Sequence, residues 1–173
     1  MNNQWWRIGL LLILGFVLLM TGVEVTVAQD AAQIHISTQR FEHGQMIWRS
    51  DTSLIWVLYD NGGVDVFPHS EYGSLPDNPY VFPPEGRVRP IHAIGRVWGN
   101  HDSVRNALGW ATLPEIGFSS TLWNTGGVDY VTQLDGRVVA IYPNGSWRFE
   151  ALHVPGVDYR VYSFDVTPDP VAP

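Results

Sequence analysis

The sequence predicts a mainly β protein in which two homologous β-meander units pack together, with one short helix between them. The first observation is an internal repeat, since residues 34–67 and 116–149 carry matched residues at an offset of 82 at both ends and 83 around the second Asn-Gly turn. The second is that Asn-Gly or Asp-Gly, which are strong hairpin signals, separates short apolar runs in both copies. The third is the length of these runs, because about six residues rich in Ile, Trp, Val and Tyr suit a strand better than a helix.

The matched positions define the repeat unit. Ile34, Ser37, Gly44, Tyr59, Asn61, Gly62 and Phe67 match Ile116, Ser119, Gly126, Tyr142, Asn144, Gly145 and Phe149, while Phe41 matches Trp123 and Trp48 matches Tyr130. Each copy is predicted to be a three-stranded meander preceded by a short strand at 34–37 or 116–120. The middle run does not alternate cleanly, so it is expected to be covered on both faces. One such meander is marginal alone, and the arrangement of the two copies as one sheet, a sandwich or a partial propeller stays open.

A proline-rich loop over residues 68–90 leaves the first copy. Its prolines forbid a regular helix or a central strand. The apolar residues Tyr80, Val81 and Phe82 predict that this loop lies against the core.

The region 91–112 contains the one helix expected between the copies. Asn100 or Asp102 is predicted to cap it, and it should end near Leu108 with Gly109 as the C-cap glycine. Together with the loop and the two copies, this region completes a single predicted β-rich domain over residues 29–165.

The two ends of the chain differ from the predicted domain in composition. Residues 1–28 are predicted to be a signal peptide, with an apolar run too short for a bilayer span and small residues before a cleavage point; an uncleaved anchor is the alternative. Residues 159–164 alternate and are expected to add an edge strand, whereas the proline-rich residues 166–173 predict a disordered tail. The predicted location is therefore secreted or associated with a bacterial cell envelope, without stable membrane insertion after cleavage.

Composition excludes several classes of function. The chain has no cysteine, which removes thiol nucleophiles, thiolate metal sites and disulfides. Its net charge of −7 argues against nucleic acid or anionic membrane surfaces as partners. None of its ten basic residues is a lysine, so Schiff-base chemistry and a phosphate-loop lysine are excluded as well.

No catalytic or metal-binding motif stands out. The six histidines are scattered without a His-x-x-x-His pair, and neither a nucleophile elbow nor a phosphate-binding glycine loop occurs. The pairs His69 with Glu71 and His101 with Asp102 are read as solvated loop residues. We therefore predict no catalytic residues, no metal, no cofactor and no enzymatic activity.

Aromatic residues supply the candidate binding site. Trp48, Trp98, Trp110 and Trp123 are expected in the core, because aromatics at repeated positions usually supply buried area. Trp56 lies between Ile55 and Val57 and so points to the opposite face of its strand, and Trp147 follows a tight turn. The predicted ligand-binding residues are Trp56, Tyr142, Trp147 and Arg148.

Residues 83–115 carry a proline-rich entry, a Gly-x-Val-Trp step at 95–98, and Leu-Gly-Trp-Ala at 108–111 followed by Pro-Glu. This arrangement resembles a family of secreted bacterial proteins without an assigned activity. The flanking units of the type Phe-x-x-Gly-x-Met-x-Trp…Asn-Gly are also distantly similar to LGFP repeats, although Leu108-Gly109-Trp110 stands where that pattern has Leu-Gly-Phe-Pro. The resemblance implies an extracellular or wall-associated non-catalytic module and transfers no site residues.

The favoured prediction is a secreted binding module for cell-wall glycan, another envelope polymer or a surface protein. The alternative is a structural or protein–protein interaction module acting as a homo-oligomer through exposed edge strands. An unrecognised extracellular hydrolase is the third class. The sequence leaves the ligand and the oligomeric state open.

Overall fold

The computed structural model describes residues 31–77 and 82–150, and these residues form a mainly β fold, as predicted. Eight strands lie in one antiparallel sheet. The strands are β1 (Ala32–Phe41), β2 (Gly44–Arg49), β3 (Ile55–Tyr59), β4 (Val64–Phe67), β5 (Ile116–Thr125), β6 (Val128–Thr132), β7 (Val138–Ile141) and β8 (Trp147–Glu150). The predicted signal peptide, Tyr80, Val81, the strand expected at 159–164 and the tail lie outside the described residues.

The two halves of the sheet join through their first strands. The strand order is β4-β3-β2-β1-β5-β6-β7-β8, so each half is a four-stranded meander. At the seam β1 pairs with β5, and Ile36 lies opposite Phe118, a residue 82 positions further along the chain. Of the arrangements left open by the sequence, the structure has one continuous sheet.

The sheet curls until its outer hairpins touch. The turn between β3 and β4 meets the turn between β7 and β8, where Val64 N donates to Gly145 O and Trp147 N donates to Gly62 O, both at 2.9 Å. The indole Nε1 of Trp147 adds a bond of 2.7 Å to Tyr59 O. Because the outer strands meet only at these turns, the sheet is nearly but not fully closed.

The strand register departs from the alignment of the repeat. β1 and β5 are each ten residues long, much longer than the short strands expected at 34–37 and 116–120. Gly44 begins β2 opposite Phe41, whereas its match Gly126 lies in the two-residue turn between β5 and β6. The repeat itself stays a prediction, since similar strand order in two halves does not establish a duplication.

Helices cover one half of the sheet. Three occur among the described residues: α1 (His69–Tyr72), α2 (His92–Asn100) and α3 (Asp102–Leu108). The prediction of a single helix was therefore wrong. Neither Asn100 nor Asp102 caps α3 through its side chain, but Gly109 is the C-cap at φ 72°, as predicted.

The loop that precedes α2 differs from the expectation that its apolar residues lie against the core. The side chain of Phe82 was predicted to lie on the core, but it is 84% exposed. The nearby contact with the core comes instead from Tyr72 of α1, which is 2% exposed. Its hydroxyl group donates to Ser53 O and accepts from Trp48 Nε1. A single helical turn therefore anchors the start of this loop.

Two hydrophobic clusters lie on opposite faces of the sheet. An outer cluster packs Met46, Ile55 and Val57 against Val97 and Trp98 of the helical layer. An inner cluster joins Ile36, Ile47, Trp56 and Leu58 of the first half with Leu122, Val131, Val139 and Ile141 of the second. Both faces of β3 are thus buried, which confirms the expectation for the middle run of the first copy.

Glu42, in the turn between β1 and β2, links this turn to the helical layer. Its carboxylate accepts from Trp110 N at 2.9 Å and from Arg87 Nε at 2.8 Å. These two hydrogen bonds lower the pKa of Glu42 below its ordinary value of 4.5. A carboxyl group with a lowered pKa in the folded state stabilises the protein above its ordinary pKa, and this contribution is lost as the pH falls through the lowered value.

Replacing Glu42 with Gln is therefore expected to lower the thermal midpoint near pH 7. Below about pH 4 the difference from the parent protein should shrink, because the parent carboxylate is itself becoming protonated. Thermal unfolding across this range measures both effects, with Glu85→Gln at an exposed position as the control. A difference that stays constant with pH would show that the charge of Glu42 contributes nothing.

None of the helices formed by the described residues is both long and apolar enough to span a membrane.

Candidate functional site

Trp56 does not lie on the surface. Its side chain is 2% exposed and belongs to the inner cluster, and the guanidinium group of Arg49 lies 4.5 Å from the ring centroid. The alternation along β3 does turn Trp56 away from Ile55 and Val57. However, the sheet curls back over that face, so Trp56 is not the surface residue that was expected. Its role in ligand binding stays a prediction.

The other three predicted residues divide between two places. Trp147 is half-buried against the inner cluster, and its indole N–H is used in the contact between the hairpin turns. Tyr142 and Arg148 lie together, with the guanidinium group 5.0 Å from the phenol ring. Both side chains hydrogen-bond Glu150, so their polar groups already satisfy one another. The structure therefore does not unite the four predicted residues in one site.

The tryptophans assigned to the core are buried to different degrees. Trp98 and Trp123 are 1% and 5% exposed, which confirms those two predictions. Trp48 and Trp110 are half-buried and pack against the outer cluster. None of these four residues lines the cavity between β1, β2 and the turn from β6 to β7.

That cavity, which we call the Gln45–Gln133 cavity, has a volume of about 500 Å³. It opens where β1 and β2 approach the segment before β5 and the turn between β6 and β7. Its lining residues are Thr38, Arg40, Gln45, Leu113, Pro114, Ile116, Gln133, Leu134, Asp135 and Arg137. The volume falls within the range of small-molecule binding sites in proteins.

Two side-chain amides in this cavity lack partners. Gln45 is 4% exposed, and its buried Nε2 has no hydrogen-bond partner among the described residues. The buried Nε2 of Gln133 likewise has none. A buried polar group without a partner costs about 1–3 kcal/mol. Gln39 Oε1 and Glu115 Oε2, at a neighbouring cavity, also lack hydrogen-bond partners among the described residues. A ligand that bonds the amides of Gln45 and Gln133 would offset that cost.

Charged groups lie at the same cavity. Arg137 Nε donates to Asp135 Oδ2 at 2.7 Å, and the guanidinium group covers the ring of Phe149 at 3.8 Å. Partial burial alone would raise the pKa of Asp135, but its hydrogen bonds from the Arg137 side chain and backbone lower it instead. The carboxylate is therefore ionised at neutral pH and holds Arg137 in place.

The opening is bordered by exposed aliphatic side chains. Leu113, Ile116 and Leu134 are 55%, 45% and 53% exposed, and all three line the cavity. Isolated exposed apolar residues are ordinary, but a group beside polar groups that lack partners is typical of a binding surface. The arrangement can hold a ligand whose polar groups enter the cavity and whose carbon skeleton contacts the rim.

A second, smaller cavity resembles a catalytic site only in composition. Its lining includes Ser53, His69, His92 and Asp77. Asp77 is paired with Arg96 at 3.1 Å, and among the described residues no hydrogen bond joins the Ser53 hydroxyl to either histidine. The same residues also contain no group of three or more His, Asp or Glu placed to hold a metal ion. The geometry therefore offers no activated nucleophile here.

Comparison with known proteins adds no relative: no family model, curated protein or solved structure matches this chain. The resemblance to LGFP repeats accordingly stays a prediction. The fold and the site define a nearly closed antiparallel sheet with a cavity that combines a largely apolar lining with a few polar side chains.

Sequence reasoning missed the residues of the Gln45–Gln133 cavity. One signal was present, because Gln45 stands inside an otherwise apolar strand segment, between Gly44 and Met46. A glutamine on a buried strand requires a partner. The other lining residues come from segments far apart in the sequence, and nothing in their local pattern marks them.

Proposed function

We propose that this protein is a non-catalytic binding module for a hydroxyl-rich cell-envelope polymer, such as a wall glycan, held in the Gln45–Gln133 cavity. The observation that carries the proposal is the pair of buried amide nitrogens without hydrogen-bond partners, on side chains of residues that line a cavity of about 500 Å³. An amide group offers both a donor and an acceptor. This combination matches hydroxyl groups, which also donate and accept.

The remaining lining supports the same ligand chemistry. Asp135 and Arg137 provide an ordered acceptor and donor pair, which is suited to neighbouring hydroxyl groups on a sugar ring. Leu113 and Ile116 provide apolar contact for the carbon atoms of the ring. The cavity lacks an aromatic platform, so recognition is expected to depend on hydrogen bonds more than on stacking.

The test is retention of the purified protein on bacterial wall and polysaccharide fractions, followed by titration with soluble fragments of any fraction that retains it. Gln45→Leu is expected to weaken binding about tenfold, which corresponds to the loss of one or two hydrogen bonds. The thermal midpoint should stay the same or rise, because the substitution removes a buried amide that has no partner.

Gln33→Leu provides the matched control. Gln33 lies on the same strand as Arg40 but is exposed and hydrogen-bonds Thr121, so its loss should leave ligand binding unchanged. Sedimentation equilibrium runs in parallel. No retention on any fraction, combined with clear self-association, would overturn the proposal in favour of a structural homo-oligomer.

A further inference from the structure

We infer that the ligand of the Gln45–Gln133 cavity carries a carboxylate, and that Arg40 recognises it. This inference rests on the proposed function and specifies its ligand as an acidic saccharide. It starts from the arginines, which are the only basic residues of the chain other than histidine.

Arg40 differs from the other arginines that the structure describes. Six of these pair with carboxylates: Arg49, Arg87, Arg96, Arg105, Arg137 and Arg148. Arg89 has an interaction as well. Within the described part of the chain, the Arg40 side chain forms no ion pair, hydrogen bond or ring contact. Arg40 is exposed and is nevertheless one of the residues that line the cavity.

The strand register explains how Arg40 reaches the cavity. Ile36 belongs to the inner cluster, and side chains two and four residues further along a strand face the same side. Thr38 and Arg40 therefore continue the inner face of β1 beyond the apolar core. Arg40 lies directly opposite Gln45 on β2, so the guanidinium group and a buried amide lie on neighbouring strands of the same wall.

The charges in the cavity select an anion of low charge. Arg40 and Arg137 contribute two positive charges and Asp135 one negative charge, which leaves an excess of one positive charge in a chain of net charge −7. A guanidinium group binds a carboxylate through two parallel hydrogen bonds. The nearby Asp135 disfavours a doubly charged phosphate, so a single carboxylate fits best.

The experiment compares two soluble probes, a trimer of galacturonic acid and the same trimer with its carboxyl groups methyl-esterified. Both keep the ring hydroxyl groups, and only the first carries charge. We expect the acid to bind at least about tenfold more tightly, as for a charge-assisted hydrogen bond. Isothermal titration at low and high salt measures the difference in affinity between the two trimers, which should decrease with added salt.

Arg40→Gln should abolish the preference for the acid and leave binding of the ester unchanged. Arg148→Gln removes the same charge outside the cavity and should preserve the preference. If the parent protein binds both trimers equally, the proposed function stands and the carboxylate inference is overturned. If neither trimer binds, the inference is also overturned, while retention on wall fractions decides the proposed function independently. Equal binding of a sulfated trimer would likewise overturn selectivity for a carboxylate.

Discussion

Replacing Trp56 with Ala is expected to lower the free energy of unfolding by about 3–5 kcal/mol, the usual range for deleting a large buried aromatic side chain. Trp56 is 2% exposed and belongs to the inner cluster, which joins residues from both halves of the sheet. Its removal would leave a cavity at the centre of that cluster. It would also remove the ring over which the guanidinium group of Arg49 lies, at 4.5 Å from the centroid.

Urea unfolding measures this effect, with an unchanged m-value as the sign that the transition stays comparable. Phe82→Ala is the control, because Phe82 is 84% exposed and its loss should change the midpoint little. The outcome separates two views of Trp56. A stable Trp56→Ala protein with impaired ligand binding would support a surface role for this residue, which its burial contradicts.

The sequence was informative about strands and turns because their determinants are local. Asn61-Gly62 and Asn144-Gly145 do lie in hairpin turns, with both glycines at positive φ. The apolar run from Ile55 to Tyr59 is a strand, as its residue types predicted. These features depend on the backbone preferences of a few neighbouring residues, so they can be read without knowing the tertiary structure.

The helix α2 was missed because packing overrides its intrinsic preference. Gly95 and Gly99 lie within α2, and each glycine weakens an isolated helix by about 1 kcal/mol relative to alanine. In the folded protein, Ile94, Val97 and Trp98 bury one face of this helix in the outer cluster. A Cβ atom on Gly95 would lie 2.6 Å from Pro90 O, so the same glycine permits the close approach of the preceding loop.

The candidate site could not be predicted from the sequence for a different reason. The Gln45–Gln133 cavity forms only when the first two strands meet the turn between β6 and β7, about 90 residues away. Alternation placed Trp56 on the correct face of its strand but could not show that the sheet curls over that face. The local pattern of a strand shows which residues share a face. Whether that face is exposed to solvent depends on the shape of the whole sheet.

Gly44→Ala is expected to have an effect of similar size, about 3 kcal/mol of destabilisation or more, through backbone strain and overpacking together. Gly44 has φ 152°, and a Cβ atom there would overlap Leu58 O and lie 2.8 Å from Leu108 Cδ2. Leu58 O is backbone on the neighbouring strand, so it cannot move away without disturbing the pairing of β2 with β3. Leu108 is fully buried at the end of α3, so the helical layer would also have to shift.

Gly126→Ala provides a comparison in which a glycine at positive φ is replaced without steric overlap. Gly126 has φ 61°, but no atom lies within 4 Å of the position that its Cβ would occupy, so only the cost of a left-handed conformation remains, about 1 kcal/mol. Urea unfolding of both variants gives the difference between their costs, which contains the steric contribution at Gly44 and the different backbone cost at φ 152°. If the two substitutions cost the same, the contact of β2 with Leu58 and α3 is looser than the structure shows. If Gly44→Ala costs the larger amount, a side chain at this position is incompatible with the packing of the helical layer on the sheet, which explains a glycine at the start of β2.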